Sequence, residues 1–298
     1  MKILISGASG LVGTHLIPTL KAKGHEIHRL VRKAPKGADE IQWDAKTGFG
    51  ESEQAKLENF DAVIHLAGDN VASENWSDEK KQSITESRVT GTRVLVDALK
   101  RTANPPKHFI SASATGFYGN RGAEILNETN AKGEGFLPEL CADWEAEIKK
   151  AEAFARVVYL RIGIVLAKDG GALEKMLTPF KFGVGGTVGS GKQYMSWIAI
   201  DDLIRIFHFV VENDELRGAI NAVSPNAATN EEFTKTLGKV LNRPTILPVP
   251  EFAIKMLFGE MGETLLLEGA RVYPQKLTDA KFEFDFPSLE AAMKHVLS

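Results

Sequence analysis

Short apolar runs alternate with longer amphipathic stretches over residues 1–165 of the chain. The apolar runs are Ile3–Ser6, Glu26–Val31, Ala62–Leu66, His108–Ala112 and Arg156–Ile162. The amphipathic stretches between them are Val12–Lys23, Asp78–Lys100 and Pro138–Phe154. Short strands that alternate with helices are typical of a parallel sheet whose two faces are both covered. The pattern therefore predicts an α/β fold built on a doubly wound parallel sheet.

The pattern changes after residue 165. Segment 168–197 is rich in glycine, which predicts a loop-rich region. Helices are predicted over Asp201–Asn213 and Thr229–Leu241, because each begins with acidic or hydroxyl residues that favour a helix N-terminus. Segment Glu251–Ser298 indicates further helices that are broken at prolines.

These two patterns divide the chain. We expect a first domain over residues 1–165 and a smaller, mixed C-terminal lobe over 166–298. Segment 198–225 is expected to return from the lobe to the first domain. The lobe is expected to carry substrate specificity.

Composition excludes several classes of protein. The 298 residues are 43% hydrophobic, which is enough for a sizeable core. A net charge of −3 gives no electrostatic reason to expect nucleic acid or an anionic membrane as a partner. The single cysteine, Cys141, excludes an intramolecular disulfide, and the seven histidines are scattered, so we expect no metal site. Without a secretory pattern or a long apolar run, we expect a cytoplasmic protein.

A glycine-rich loop joins the first strand to the first helix. It reads Gly7-Ala8-Ser9-Gly10-Leu11-Val12-Gly13, a G-x-x-G-x-x-G spacing. Glycines in this context let the backbone approach a pyrophosphate, and the following helix N-terminus offers free N–H groups. The loop predicts a Rossmann-type dinucleotide site, with Gly7, Ser9, Gly10, Leu11, Val12 and Gly13 as cofactor contacts. The alternative is a glycine-rich turn that binds nothing.

The end of the second strand indicates which dinucleotide is bound. Proteins that bind NAD usually place an acidic residue there, on the ribose 2′-hydroxyl. This strand ends in Arg32 and Lys33 instead, and a guanidinium can pair with a 2′-phosphate. We therefore predict NADP as the cofactor, although both residues could instead belong to a solvated loop.

Three segments carry a family resemblance: Gly7–Gly13, Asp61–Gly68 and Ser111–Gly119. In order and spacing they resemble the extended short-chain dehydrogenase/reductases. Segments Cys141–Glu145 and Phe258–Leu277 are similar to an atypical branch of that family, the sugar-nucleotide-epimerase-like proteins with a C-terminal domain of unknown function. The resemblance covers almost the whole chain.

The resemblance implies positions for further site residues. It places His65, Leu66, Ala67 and Gly68 beside the adenosine and pyrophosphate of the cofactor. Ser113 takes the place of the active-site Ser or Thr of the family. Members often dimerise through two helices, which here are Asp78–Lys100 and Pro138–Phe154, so a homodimer is an expectation.

One expected feature is missing from the chain. The extended reductases carry Tyr-x-x-x-Lys on the helix after the Ser strand, and the Lys lowers the pKa of the Tyr phenol. Here Leu140/Trp144 or Cys141/Glu145 occupy those positions, depending on a shift of one residue. Possible substitutes are the Tyr118 phenol, the Cys141 thiol, or the carboxyl of Asp143 or Glu145. We predict Ser113 together with Tyr118 as the catalytic pair.

Substrate contacts are expected in the glycine-rich segment Gly183–Trp197. Its candidates are Lys192, Gln193, Tyr194 and Trp197, although the glycines could simply shape a surface turn. Arg161, at the end of a strand, is a candidate contact for the substrate or the nicotinamide, and a structural ion pair is the equal alternative.

Two classes of function fit this sequence. One is an NADP(H)-dependent reductase or epimerase that acts on a small carbonyl or nucleotide-sugar-like substrate. The other is a non-catalytic NADP(H)-binding protein with a regulatory or sensing role. The missing Tyr-x-x-x-Lys is the feature that keeps the second class open.

Overall fold

The computed structural model describes residues 1–298, and its centre is a sheet of seven parallel strands. The strands of the chain are β1 (Lys2–Ser6), β2 (Glu26–Val31), β3 (Glu40–Gln42), β4 (Ala62–His65), β5 (His108–Ala114), β6 (Ile125–Leu126), β7 (Arg156–Ile162), β8 (Ile164–Leu166), β9 (Tyr194–Met195), β10 (Trp197–Ala199), β11 (Gly218–Ala222), β12 (Ala228–Thr229) and β13 (Arg271–Val272). The main sheet has the order β11-β7-β5-β4-β1-β2-β3. The order reverses between β1 and β4, which is where such sheets bind their ligands.

Helices cover both faces of this sheet. They are α1 (Leu11–Ala22), α2 (Glu51–Gln54), α3 (Asp78–Thr85), α4 (Gly91–Lys100), α5 (Phe136–Lys149), α6 (Gly171–Lys181), α7 (Ile200–Glu212), α8 (Asn230–Leu241), α9 (Glu251–Gly262), α10 (Gln275–Asp279) and α11 (Leu289–Leu297). Helices α1 and α7 pack on one face, and α4 and α5 on the other. The doubly wound α/β fold predicted from the sequence is confirmed. The dimer expected through α3, α4 and α5 stays a prediction.

Burial explains why the strands are short and apolar. Every residue of β4 is buried, and so is all of β7 except Ile162. A strand that is covered on both faces needs apolar side chains in both directions, which produces the continuous runs seen in the sequence. The core forms two layers, one on each side of the sheet.

The C-terminal lobe is more regular than the glycine-rich sequence predicts. Segment 168–197 contains α6, which begins at Gly171, a glycine with φ +71°. Its apolar side is buried through Leu173, Leu177 and Phe180. This helix was missed because glycines on either side of it dominate the local pattern. Three two-stranded pairs, β8 with β10, β9 with β12 and β6 with β13, complete the lobe.

The chain crosses back from the lobe to the main sheet. After β10, α7 packs against α1, and β11 then pairs with β7 in parallel. Helix α8 starts with a capping box, since Thr229 and Glu232 each bond the backbone N–H of the other. No helix combines the length and the apolar character that a membrane crossing requires.

Candidate functional site

The loop between β1 and α1 depends on its first and third glycines for packing. Gly7 has φ +70°, and a Cβ there would lie 2.6 Å from the backbone carbon of Leu66. A Cβ at Gly13 would lie 2.5 Å from the carbonyl oxygen of Gly7. Both distances are shorter than any carbon contact allows, so these two positions accept only glycine. They bring the loop close to the end of β4.

The second glycine, Gly10, is different because the protein constrains it less. A Cβ there would meet only the Gly7 carbonyl oxygen, at 3.3 Å. Gly10 is the N-cap of α1, it supplies no capping side chain, and the first turn of α1 contains no acidic residue. Ser9 and Gly10 are exposed, whereas Leu11 and Val12 are half-buried. The N-terminus of α1 is therefore open to an anion, as a pyrophosphate site requires.

Arg32 and Lys33 follow β2 and are exposed. Neither forms an ion pair, in contrast to Arg29, which pairs with Asp39 at 2.9 Å and Glu40 at 3.1 Å. Two cations beside the open N-terminus of α1 are therefore free to meet a second anionic group.

The predicted cofactor contact His65 has its side chain behind the edge of the sheet. Its imidazole is fully buried, with Nδ1 2.6 Å from Ser6 Oγ and Nε2 3.1 Å from Thr92 Oγ1. Burial lowers the pKa of His65 to about 4, so the ring is neutral at physiological pH. Trp144 Nε1 donates to the same Thr92 oxygen, at 2.9 Å. His65 thus holds the ends of four elements together and does not offer its ring to a ligand.

Leu66, Ala67 and Gly68 continue from β4 along the same edge. The N–H groups of Leu66 and Ala67 donate to Ser6 Oγ, at 3.1 and 3.3 Å. Gly68 lies against the Arg88 guanidinium, because a Cβ at Gly68 would stand 3.2 Å from Arg88 Cζ. Backbone hydrogen bonds therefore hold this edge of the sheet in place. The missing side chain of Gly68 leaves the space that the Arg88 guanidinium occupies.

A buried network surrounds Ser113 at the end of β5. Ser113 Oγ donates to Glu145 Oε1 at 2.7 Å. Arg161 Nε and Nη2 donate to the two oxygens of Glu145, both at 2.8 Å. Glu145 is 2% exposed and Arg161 is 4% exposed, so the ion pair is shielded from water. Arg161 is thus bound in the structural pair that was the alternative to a ligand contact.

Tyr118 joins this network from the far side. Arg161 Nη1 donates to the Tyr118 hydroxyl at 3.0 Å, and that hydroxyl donates to Asn221 Oδ1 at 2.7 Å. Tyr118 is fully buried, and burial raises the pKa of its phenol. In this structure the phenol supports Arg161 and does not reach the edge where a substrate would bind. The sequence predicted Tyr118 beside Ser113 because Tyr118 follows it by only five residues, across a glycine turn that could fold the phenol back over the same pocket.

Cys141 and Glu145 occupy adjacent turns of α5, on the side that faces β5. Cys141 is buried beside Gly116, and burial together with the Glu145 charge raises the pKa of its thiol to about 12. A thiol with that pKa stays protonated at neutral pH and is a poor nucleophile. Asp143 lies on α5 as well and forms no ion pair.

The predicted substrate contacts of the lobe differ in their exposure. Trp197 is fully buried, and its Nε1 donates to the Asn226 carbonyl. Gln193 Nε2 is used by two backbone carbonyls within the lobe. Lys192 is exposed and Tyr194 half-buried, so these two keep groups that a ligand could reach.

Arg88 was missed by the sequence analysis. It lies in a π-helical segment, Glu86–Thr90, between α3 and α4. A signal was present in the sequence, because Arg88 follows the apolar residue Ile84 by one helical turn and therefore shares its helix face. A charged residue at an apolar position of a helix face is a sign of a functional role. The π-helical segment, which often marks functional sites, could not be foreseen from the sequence.

Comparison with known families identifies the chain. Residues 3–222 match the family model described as the NAD dependent epimerase/dehydratase family. The chain belongs to the epimerase/dehydratase family. Residues 249–296 match a domain of unknown function, DUF1731. The expected resemblance, including its C-terminal part, is therefore confirmed.

Relatives in this epimerase family match over nearly their full length. An epimerase family protein of Mycobacterium tuberculosis is 39% identical over 98% of this chain and 96% of its own. The human epimerase family protein SDR39U1 is 34% identical over the full length of both chains. A crystal structure of that human protein with NADPH has a TM-score of 0.90 and covers 99% of both chains. The Thermus thermophilus UDP-glucose 4-epimerase, at 19% identity and TM-score 0.77, shares the fold.

Proposed function

We propose that this family member is an NADP(H)-dependent reductase or epimerase that acts on a carbonyl or nucleotide-sugar-like substrate. The observation that carries the proposal is the uncapped N-terminus of α1 beside the unpaired cations Arg32 and Lys33. The N-terminus of α1 can bind a diphosphate, and Arg32 and Lys33 can bind a 2′-phosphate. The NADPH in the crystal structure of human SDR39U1 supports the same cofactor.

Ser113 is the proposed contact to the substrate oxygen. Its proton is already donated to Glu145, so its oxygen is free to accept a proton from a substrate hydroxyl. In the oxidative direction the substrate C–H hydride passes to NADP⁺, while the substrate hydroxyl proton passes to Ser113 as Ser113 releases its own to Glu145. Arg161 and Tyr118 act as positioning residues that hold Glu145 in place.

A non-catalytic, NADP(H)-sensing role is the second candidate. The observation that favours it is that the side chains considered as proton donors, Tyr118, Cys141 and Glu145, are all buried. No free phenol takes the place of the missing Tyr-x-x-x-Lys. Turnover separates the two candidates, because both require tight binding of NADPH.

Titration with both dinucleotides tests the cofactor. NADPH is expected to bind at least tenfold more tightly than NADH, a difference of about 1.4 kcal/mol that one charge-assisted phosphate contact can supply. Arg32→Ala should weaken NADPH binding and leave NADH binding nearly unchanged. Arg101→Ala, at the exposed end of α4 that leads to the opposite edge of the sheet, is the matched control. Equal affinities for the two dinucleotides would refute the preference.

A turnover screen then tests the chemistry. NADPH oxidation is followed with small carbonyl compounds and nucleotide-sugars, and nucleotide-sugar isomerisation is followed separately. Ser113→Ala should abolish turnover while NADPH affinity is kept. Tight NADPH binding without turnover of any compound would instead support the sensing role.

A further inference from the structure

Arg88 brings a positive charge to the carboxyl edge of the sheet. The π-helical segment Glu86–Thr90 widens the helix between α3 and α4 at this residue. The guanidinium lies against Gly68, which follows β4, and its carbon stands 5.3 Å from the centre of the Trp144 ring on α5. Arg88 therefore sits between the ends of two elements that border the ligand edge.

This charge has no anionic partner in the protein. Arg88 Nη1 donates to the carbonyl oxygens of Asp69, at 2.9 Å, and Ile84, at 3.3 Å, and the guanidinium forms no ion pair. The carboxylate of Asp69, the residue whose carbonyl Arg88 contacts, accepts from Lys80 at 2.7 Å and from Ser83 at 3.0 Å. Burial lowers the pKa of Arg88, which reflects the loss of solvation around its charge. The Nε and Nη2 donors are left without a protein acceptor.

Arg88 is half-buried, so its unpaired guanidinium keeps only part of its solvation, which is costly. Arg161, which is buried at the same edge, is instead neutralised by a bidentate carboxylate. Arg88 has two donors in the fork geometry that matches a carboxylate or phosphate. Arg88 is therefore suited to bind an anion from outside the protein.

The position in the sheet indicates which molecule carries that anion. The diphosphate of a dinucleotide would lie at the N-terminus of α1, above β1. Arg88 lies on the other side of the switch point, between the end of β4 and helix α5, which follows β5. Each half of such a sheet receives one nucleotide, so a dinucleotide whose 2′-phosphate lies at the end of β2 would place its nicotinamide on this side.

We propose that Arg88 binds an oxyanion, a carboxylate or phosphate carried by the substrate beside the nicotinamide. The inference deepens the proposed function and rests on it, because the place of the cofactor defines the substrate side. A phosphate of the cofactor is the second source of the same chemistry. Gly68 and Trp144 shape the seat, and Gly68 leaves the space that the guanidinium occupies.

Calorimetric titration of the NADPH-loaded protein with malonate and with inorganic phosphate tests anion binding at Arg88. Malonamide, which lacks the charges of malonate, is the ligand control. Arg88→Gln should weaken binding of the anions at least tenfold, and Arg88→Lys should retain part of it, because it keeps the charge and loses the fork. NADPH affinity should stay within threefold in both variants, and Arg101→Gln should match the wild type.

Each outcome bears on the proposal. A tenfold loss of NADPH affinity in Arg88→Gln would keep the oxyanion seat and assign the anion to the cofactor. If Arg88→Gln binds NADPH and both anions as tightly as the wild type does, the proposal is overturned. It is also overturned if the wild type binds neither anion and Arg88→Gln retains full NADPH affinity. A wild type that binds no NADPH would refute the proposed function, and titration of the cofactor-free protein with phosphate would still test Arg88. Thermal unfolding of each variant verifies that it is folded.

Discussion

Glu145 and Arg161 face each other inside the protein through two parallel hydrogen bonds. Removing such charges from water costs several kcal/mol each, and only their pairing offsets that cost. Ser113 completes the hydrogen bonds of the carboxylate, while Tyr118 and the face of the Phe117 ring, 3.5 Å away, surround the guanidinium. Neither charge can be removed alone without leaving the other buried and unpaired.

We therefore predict strong coupling between the two residues. Arg161→Met and Glu145→Leu should each lower the free energy of unfolding by about 3–5 kcal/mol, because each leaves one buried charge. The double variant should be more stable than the sum of the two losses implies. Urea denaturation of the four proteins measures the coupling energy, and additive losses would contradict the prediction. Lys235→Ala, which breaks the exposed pair with Glu231, should be indistinguishable from the wild type.

The individual members of this network could be chosen from the sequence, but their connections could not. Ser113 and Arg161 end neighbouring strands, so each was placed at the ligand edge by the strand pattern. The sequence does not say that Glu145 comes between them, because side-chain rotamers decide that contact. The same limit explains Tyr118: a short helical turn, Thr115–Tyr118, directs the phenol inward, and only the fold reveals its partner Asn221.

At the scale of elements, the first helix has an open N-terminus. Helix α8 satisfies its first N–H groups with a capping box, whereas α1, like α5 and α6, has a glycine as its N-cap and no side-chain cap. An uncapped helix end leaves up to four N–H groups without an intrahelical partner, and an anion can take their place. The two helices of the same chain thus provide an internal comparison.

The difference predicts separate effects for the glycines of the loop. Gly10→Val should abolish NADPH binding while the fold is kept, because its Cβ meets only one protein atom and otherwise enters the ligand space. Gly13→Ala should instead lower the unfolding temperature, since its Cβ would collide with Gly7 and Ala8. Circular dichroism and NADPH titration on both variants separate the effects. Wild-type affinity in folded Gly10→Val would place the cofactor elsewhere.

Element boundaries show where sequence periodicity is reliable. The strands Glu26–Val31 and Arg156–Ile162 are found with the predicted bounds, because each is a short, largely β-forming run. The stretch Asp78–Lys100 was predicted as one helix, and the structure divides it at the π-helical segment. The π-helical segment keeps the helical direction of the chain, so the periodicity of the sequence does not mark it.

At the scale of the whole molecule, the C-terminal region is tied to the sheet domain by buried polar contacts. Asp202 of α7 is fully buried and accepts from the N–H groups of Asp285 and Phe286, both at 2.9 Å. Within the C-terminal lobe, Ser196 accepts from the Val272 N–H at 2.9 Å. These bonds join chain segments separated by more than 70 residues. We expect the two parts to unfold together.

Global stability should fall in mild acid because of His65. Its pKa is about 4 in the folded protein, against 6.5 for the free group, since burial disfavours the charged ring. Between those values the unfolded chain takes up a proton that the folded protein refuses. The stability from His65 is complete above pH 6.5 and is lost as the pH falls to about 4. The total loss is about 3 kcal/mol, at about 1.4 kcal/mol per pH unit.

Urea denaturation between pH 4 and 7.5 checks this expectation. His25 and His108 also have lowered pKa values, with burial as the main cause, so the slope of the wild type contains their contributions too. The comparison of wild type with His65→Gln isolates the effect. The variant should be less stable at neutral pH and should have a shallower pH dependence. Identical slopes would show that His65 is not the group that titrates.

The three glycines of the loop are required for different reasons, and this difference can be used to recognise relatives that have lost their cofactor. Gly7 and Gly13 are required by contacts within the protein, so selection for folding alone retains them. Gly10 is required only by what lies outside. A descendant that no longer bound a dinucleotide would keep the first and third glycines and let the second drift. The G-x-x-G-x-x-G spacing as a whole is evidence of ancestry, and its middle residue alone reports present use.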